Sequence, residues 1–295
     1  MQVYLLEDAL ELWFATIKET PAPASAELLD LFQFILPCLE MGSIVLRRSL
    51  DIMESYVLLA PQYIIETYRV NLFTVFAALL DSLKPESVGI VVNIVETLLR
   101  CAKDIGGDTG LHVVGVELVN SQFLTKVFKT LKDSYDASQT TGPHKQYPPS
   151  AVLVTDYFSL LARVVTTSTA WFMEILRLIS EREEQSVESI VEWLLAEWFN
   201  HVRITLVVHL RDWEEQRLTR LYLKFSNMGH PRQRKLNCLA LTMLLETNQE
   251  WILKRLQDLM TVWTDVVTEL REDDLPADHE YVYPSPGDLE MTLIC

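Results

Sequence analysis

The chain predicts an all-α solenoid, an open row of antiparallel helix pairs, and three observations lead there. Apolar stripes of helical period follow one another along most of the sequence. Short turn-forming breaks divide these stripes into pairs. Alternating period-two stretches are almost lacking, and no strand-turn-strand signal stands out, so mixed folds compete poorly. A compact helical bundle is the rival architecture.

The opening helix, over about residues 3–19, brings Tyr4, Leu5, Ala9, Leu12, Trp13 and Ile17 near one face, and Thr20-Pro21-Ala22-Pro23 ends it. The clearest pair lies within residues 23–61. In its first half Leu28, Leu31, Phe32, Ile35, Leu36 and Leu39 take the i, i+3, i+4, i+7, i+8, i+11 positions of one helix face. Ser25 suits the N-cap and Met41-Gly42 the stop. In the second half Ser43 suits the N-cap, and Leu46, Leu50, Met53 and Val57 form an apolar seam with Arg47, Arg48, Asp51 and Glu54 off it. So short a break allows only an αα-hairpin. Neither helix buries its stripe alone, so the hairpin must stack on others like it.

A helix over about residues 62–83 is apolar on most sides, through Ile64, Ile65, Tyr68, Leu72, Phe73, Val75, Phe76, Leu79 and Leu80, and so expects neighbours on both flanks. Pro85 suits a first helical position, and Val88, Val91, Val92, Val95, Leu98, Leu99 and Ala102 make the next seam. Gly106-Gly107-Asp108-Thr109-Gly110 should then break the chain before another helix to about residue 132. Those glycines are not a phosphate loop, since no Lys-Ser or Lys-Thr pair follows and no strand precedes them. Residues 136–149, DASQTTGPHKQYPP, read as a polar surface loop. Helices resume over about residues 150–166, 171–182 and 186–201, the last with Val187, Ile190, Val191, Leu194 and Trp198 inward. Second members of the pairs thus start near Ser43, Pro85, Ser150 and Ser186, about 35 to 45 residues apart except across the long loop. That is the spacing of HEAT repeats. Arg232, Arg234 and Lys235 form the polar entry of an amphipathic helix carrying Leu236, Leu239, Ala240, Met243 and Leu244, rather than a nucleic-acid or localisation signal. The last helix ends near residue 270, leaving residues 271–295 as an acidic, Pro-containing flexible tail.

Composition narrows the function. With 295 residues, 49% of them apolar, the chain can build a large core. No apolar run reaches the roughly 18 to 20 residues of a membrane span, and the acidic start MQVYLLEDALELW lacks the basic region of a secretory signal. A soluble protein with no membrane partner is expected. Four widely spaced cysteines, Cys38, Cys101, Cys238 and Cys295, suggest buried free thiols in a reducing compartment. A net charge of −16 argues against nucleic-acid binding and favours a basic protein partner, unless the acid excess serves solubility alone. Six histidines show no metal-ligand spacing, and neither a nucleophile elbow nor an electropositive cysteine is evident. No active site, metal or cofactor is expected, so the chain is not an enzyme. Trp13, Trp171, Trp198, Trp251 and Trp263 fall on apolar helix sides, where core packing is favoured over an aromatic ligand cage.

Several motifs, taken in order, resemble the C-terminal region of importin-β superfamily nuclear transport receptors, closest to the importin eleven branch. They are VYLLEDALELW, LLDLFQFILPCLEMGS followed by VLRRSLDIMESYVLLAP, SVESIVEWLLAEWF and PRQRKLNCLALTMLL, spread over most of residues 3–270. The resemblance implies a right-handed superhelical solenoid of HEAT-type pairs, shuttling between nucleus and cytoplasm. It implies a receptor that carries protein cargo through the nuclear pore and releases it to Ran-GTP. The family's main Ran contacts lie in N-terminal repeats that nothing here matches, and pore passage implies FG nucleoporins whose phenylalanines enter slots between helices. Second helices line the concave side of such a solenoid, so Asp51, Glu54, Glu188 and Glu192 are candidate contacts for basic cargo, against the plainer reading of a solvated surface. A cytosolic HEAT scaffold of an enzyme complex is the alternative.

One stretch departs from the family pattern. Residues 202–224, VRITLVVHLRDWEEQRLTRLYLK, intervene where the pattern runs almost directly from EWFNH into FSNMGHPRQRKL. Val202 and Lys224 can be encoded by codons beginning GT and ending AG, and Leu218-Thr219 by CTAAC, which suits a translated in-frame intron. The alternative is a helical insertion, since HLRDWEEQRLTRLYLKF is rich in helix formers. The expected organisation is a solenoid over residues 1–270, interrupted there, and a tail over 271–295. The family has further helices after such a segment, so residues 289–295 carry no functional reading.

Overall fold

The computed structural model describes residues 2–39, 41, 43–140, 147–209, 221–226, 228 and 230–273. Its helices are α1 (Gln2–Lys18), α2 (Ala26–Asp30), α3 (Ile35–Cys38), α4 (Ser43–Leu59), α5 (Pro61–Ser82), α6 (Pro85–Asn120) and α7 (Phe123–Gln139). They continue as α8 (Ala151–Thr167), α9 (Thr169–Glu183), α10 (Val187–Val202), α11 (Pro231–Met243), α12 (Glu250–Leu253) and α13 (Leu256–Asp273). Strands β1 (Ile204–His209) and β2 (Leu221–Ser226) stand between α10 and α11. The tail beyond residue 273, the middle of the long loop at 141–146 and the expected Gly42 stop lie outside the described residues.

The fold is the expected all-α solenoid. One row runs α4, α6, α8, α11, α13, each helix packed on the next, and a second row runs α5, α7, α10. Among the described residues, no helix of residues 2–82 packs substantially on α10 to α13, so the row stays open rather than closing round one centre. The first helix packs on α4 at one end. Aromatic side chains fill the space between rows, among them Tyr56, Phe73, Phe76, Phe158 and Trp198, all closed off from solvent. Near the first end the Trp13 indole donates to the Tyr56 hydroxyl at 3.0 Å, which in turn donates to the Leu28 carbonyl at 2.7 Å.

Helix starts follow local chemistry. The hydroxyls of Ser25, Ser168 and Ser186 accept from the backbone N–H groups of Leu28, Trp171 and Ser189. Proline opens α5, α6 and α11, where its missing N–H costs nothing. The first periodic stretch is not one smooth helix. Leu31–Phe34 tightens to a 3-10 turn between α2 and α3, just before Pro37, which cannot donate back to the preceding turn. Phe32, Ile35 and Leu39 are buried as the period requires, while Leu31 is exposed.

The glycine break at residues 106–110 is a kink inside α6 rather than a helix end. Gly107 turns to φ 56°, and a Cβ on Gly110 would stand 2.2 Å from the Ala102 carbonyl oxygen, so the kink closes onto its own first half. Beyond it, Gly115 leaves its surface to the Trp171 ring, which approaches to within 2.0 Å of where a Cβ would be. The helix expected to reach residue 132 stops at Asn120, and the chain turns through Gln122 at φ 67°. Neither Gly nor Pro marks that turn, and the apolar stripe runs on across it.

Further expectations need correction. The helix starting at Ser186 was expected to be a second member of its pair, but α10 joins the row of α5 and α7, and α11 continues the row of α8. The reason is that α10 is apolar on most sides: Ile190, Val191, Leu194, Leu195, Trp198 and Phe199 are buried, so it sits inside the packing rather than along one face. Residues 202–224, read as a translated intron or alternatively as a helical insertion, contribute to an antiparallel hairpin in place of the alternative's helix, Ile204 opposite Ser226 through His209 opposite Leu221. ITLVVH and LYLKFS are short runs of β-branched and aromatic residues, and their mutual pairing outweighs the helix formers between them, which lie outside the described residues. The α5 helix reaches the length and apolarity of a membrane span, yet Leu72, Phe73 and Phe76 are closed into the core between α4, α6 and α7.

Candidate functional site

The four acidic residues marked by the sequence fall in two separate places. Asp51 and Glu54 lie half-buried on α4, while Glu188 and Glu192 lie exposed, one turn apart, on α10 in the opposite row. Asp51 is already answered within the chain: its Oδ2 is 3.1 Å from Arg48 Nη1. Arg48 also reaches Glu11 Oε1 at 2.5 Å and lies 4.5 Å from the Phe14 ring centre, so the group ties α1 to α4. Glu54 has no ion pair among the described residues. Glu188 sits in the first turn of α10, where the helix dipole favours an acid.

Grooves open between neighbouring helices. One, of about 330 Å³, lies between α5 and the kink of α6, with Ile65, Arg69, Ile105 and Val113 along it. A shallower hollow of about 640 Å³ adjoins it through Gln62, Glu66 and Ile105 and extends to Pro23, Leu29 and Leu59. A third groove, of about 140 Å³, lies among α7, α9 and α10 over Phe128, Ile179, Ile190 and Trp193, with Lys129 and Lys132 at its rim. The Trp193 indole N–H beside it is buried without a hydrogen-bond partner. No sequence period marks these grooves, because each is formed by side chains that different helices bring together.

Buried polar groups escaped the sequence reading. Glu197 and His201, one turn apart on α10, line a polar cavity of about 310 Å³ with Ser134, Thr140 and Asn200. The Ser134 hydroxyl donates to Glu197 Oε1 at 2.6 Å, and His201 Nε2 stands 2.8 Å from Thr155 Oγ1. Burial holds the His201 imidazole down to about 4 and pushes the Glu197 carboxyl up. Their one signal in the sequence is a polar i, i+4 pair among the apolar residues of the second half of α10. Arg234, expected in an exposed basic entry, is buried instead. It donates to Glu269 Oε1 and to the Met228 carbonyl, each at 2.6 Å.

The three cysteines among the described residues do not offer a thiolate: burial pushes the Cys238 thiol up to about 11 and raises Cys38 and Cys101 as well. Cys238 is buried, and the other two are half-buried. Among the described residues no group of three His, Cys, Asp or Glu side chains could hold a metal. What the surface can do is take apolar side chains into grooves between helices and meet cations with acids.

The family model described as importin-11-like, TPR repeats, matches residues 1–211 and 215–292, so its break falls inside the hairpin-bearing segment. Importin-11 of Homo sapiens is 24% identical over 272 residues, covering 92% of this chain and 23% of that protein, and Importin-11 of Mus musculus gives the same figures. The Importin beta-like protein kap113 of Schizosaccharomyces pombe is 24% identical over 269 residues, covering 90% of this chain and 22% of that protein. The chain therefore spans about a quarter of the length of these relatives. No solved structure matches it.

Proposed function

The chain belongs to the importin-11-like family, and from that premise we propose that it is a non-enzymatic part of a nuclear import receptor that binds basic protein cargo. Family membership over nearly the whole chain is the observation that carries this reading. The open double row supports it too, because shallow interfaces between repeats let a solenoid flex round partners of different shape. A net charge of −16 suits basic cargo. The exposed pair Glu188 and Glu192 is the stronger cargo contact, since Asp51 is committed to Arg48. Glu54 remains a contact of the same kind.

Pore passage requires weak binding of FG repeats, and the grooves beside Ile105 and beside Trp193 are the places proposed for it. Cargo release to Ran-GTP is assigned to repeats outside this chain, and shuttling between nucleus and cytoplasm follows from the same reading. A pull-down with the full-length receptor tests it: cargo and FG peptides should be retained, and Ran-GTP should displace the cargo. Loss of both behaviours would favour a cytosolic scaffold. Reversing Glu188 and Glu192 together to lysine should weaken cargo binding at low salt, and an unchanged affinity would remove those residues from the interface.

A further inference from the structure

The junction of α6, α8 and α11 encloses a hollow of about 210 Å³, walled on one side by Val92 and Leu236 and on the other by Glu96, Asp156 and Gln233. Its two carboxylates differ. Glu96 accepts from Arg163 Nε at 3.3 Å, so its charge is answered within the chain. Asp156 has no ion pair among the described residues, and the side-chain amide of Gln233 donates a hydrogen bond to its carboxylate. Burial pushes its carboxyl up to about 6.

The space for that carboxylate is built by a glycine in the interior of α6. A Cβ on Gly89 would stand 2.8 Å from Asp156 Oδ2, so any other residue there would displace it. Glycine in a helix interior costs roughly 1 kcal/mol relative to alanine. The groups facing Asp156 are Asn93 and Glu96 from α6, Ser159 and Arg163 from its own helix, and Arg232 and Gln233 from α11. Arg163 is engaged by Glu96, and Arg232 is exposed.

We propose that this hollow seats one lysine side chain of a basic partner segment, its methylenes along Val92 and Leu236 and its ammonium on the Asp156 carboxylate. A single carboxylate with no ion pair among the described residues, answered only by the neutral Gln233 amide, suits a compact point charge better than the two-pronged guanidinium of arginine. The proposal rests on the reading of a basic cargo and adds a specific seat for it, in a row that the sequence marked only through Asp51 and Glu54. Because the bound ammonium favours the ionised carboxylate, binding expels a proton from Asp156 near pH 6.

The test uses the intact chain and a fluorescein-labelled hexalysine peptide, followed by anisotropy at low salt between pH 5 and pH 7. The expected affinity rises roughly tenfold over that range, as the carboxyl that titrates at about 6 becomes ionised. Asp156→Asn should bind about tenfold more weakly at pH 7 and lose the pH dependence, while Asp8→Asn, an equal charge change on exposed α1, should behave as wild type. Gly89→Ala, which displaces the carboxylate, should weaken binding in the same direction. If Asp156→Asn and Gly89→Ala both bind like wild type with the same pH profile, the seat is wrong and the basic-cargo reading survives. If the wild-type chain fails to bind the peptide at every pH, both fall.

Discussion

His201 is held neutral by its surroundings, and this makes it the clearest pH-sensitive group in the chain. In the unfolded chain an imidazole titrates near 6.5, whereas in the fold burial brings it to about 4. Between those values the unfolded state takes up the proton and the folded state does not, so the contribution of His201 is complete above pH 6.5 and lost as pH falls towards 4. The carboxyls of Glu96, Asp156 and Glu197 are shifted upwards and act in the opposite sense: each favours the fold at low pH and loses that contribution as pH rises through its folded value. The effect of His201 therefore shows only by difference. The stability gap between wild type and His201→Gln should widen by roughly 3 kcal/mol from pH 4 to pH 7 in urea titrations. A gap that stays constant would mean the imidazole is not desolvated. Arg234 is predicted on different grounds. Arg234→Ala removes the ion-pair partner of Glu269 and a donor to the Met228 carbonyl at a buried position and should cost about 3 to 5 kcal/mol. The double replacement Arg234→Met with Glu269→Leu should cost clearly less, which a double-mutant comparison of urea midpoints would show.

At the level of elements, the hairpin between α10 and α11 is predicted to be removable without loss of the solenoid. Its first and last residues, Ile204 and Ser226, are a directly opposed pair. Opposed residues in an antiparallel ladder lie roughly 4.5 to 5.5 Å apart, close to the ~3.8 Å of neighbouring residues in one chain. Deleting residues 205–225, which joins Ile204 to Ser226, is therefore predicted to leave helix content unchanged by circular dichroism and the melting temperature within a few degrees. A collapse of helical signal would show that the hairpin supports the packing of α10 on α11. This bears on the segment of residues 202–224, read from the sequence as an interruption, of which the family model leaves only residues 212–214 unmatched. We propose that it is either translated intron or a tolerated insertion, and mass spectrometry of the native protein decides: a peptide from within residues 212–220 excludes the intron.

Over the whole molecule, the open row leaves its end helices with one side unpacked. On α1 Leu5 and Leu12 are exposed, and on α13 Leu256, Met260 and Val267 are, each set on one helix face. Residues of α6, α8 and α10 meet neighbours on both flanks. In a quasi-one-dimensional array stability is a sum over neighbouring interfaces, so the ends should open first. Hydrogen exchange of the isolated chain should accordingly show α1 and α13 exchanging well before α8 and α10. Uniform protection along the row would instead indicate a single cooperative core.

The sequence alone was enough to determine that the chain is a run of paired amphipathic helices, where most of them start, and which family their motifs resemble, because period, capping residues and turn residues are local properties of the chain. The row that each helix joins, the kink at Gly107, the turn at Gln122 and the hairpin between α10 and α11 were decided only in the tertiary structure. So were the partners of Arg234, His201 and Asp156. An apolar stripe states that a face will be buried but not against what. A polar residue reveals its role only when the group that answers it, tens of residues away, has been brought beside it.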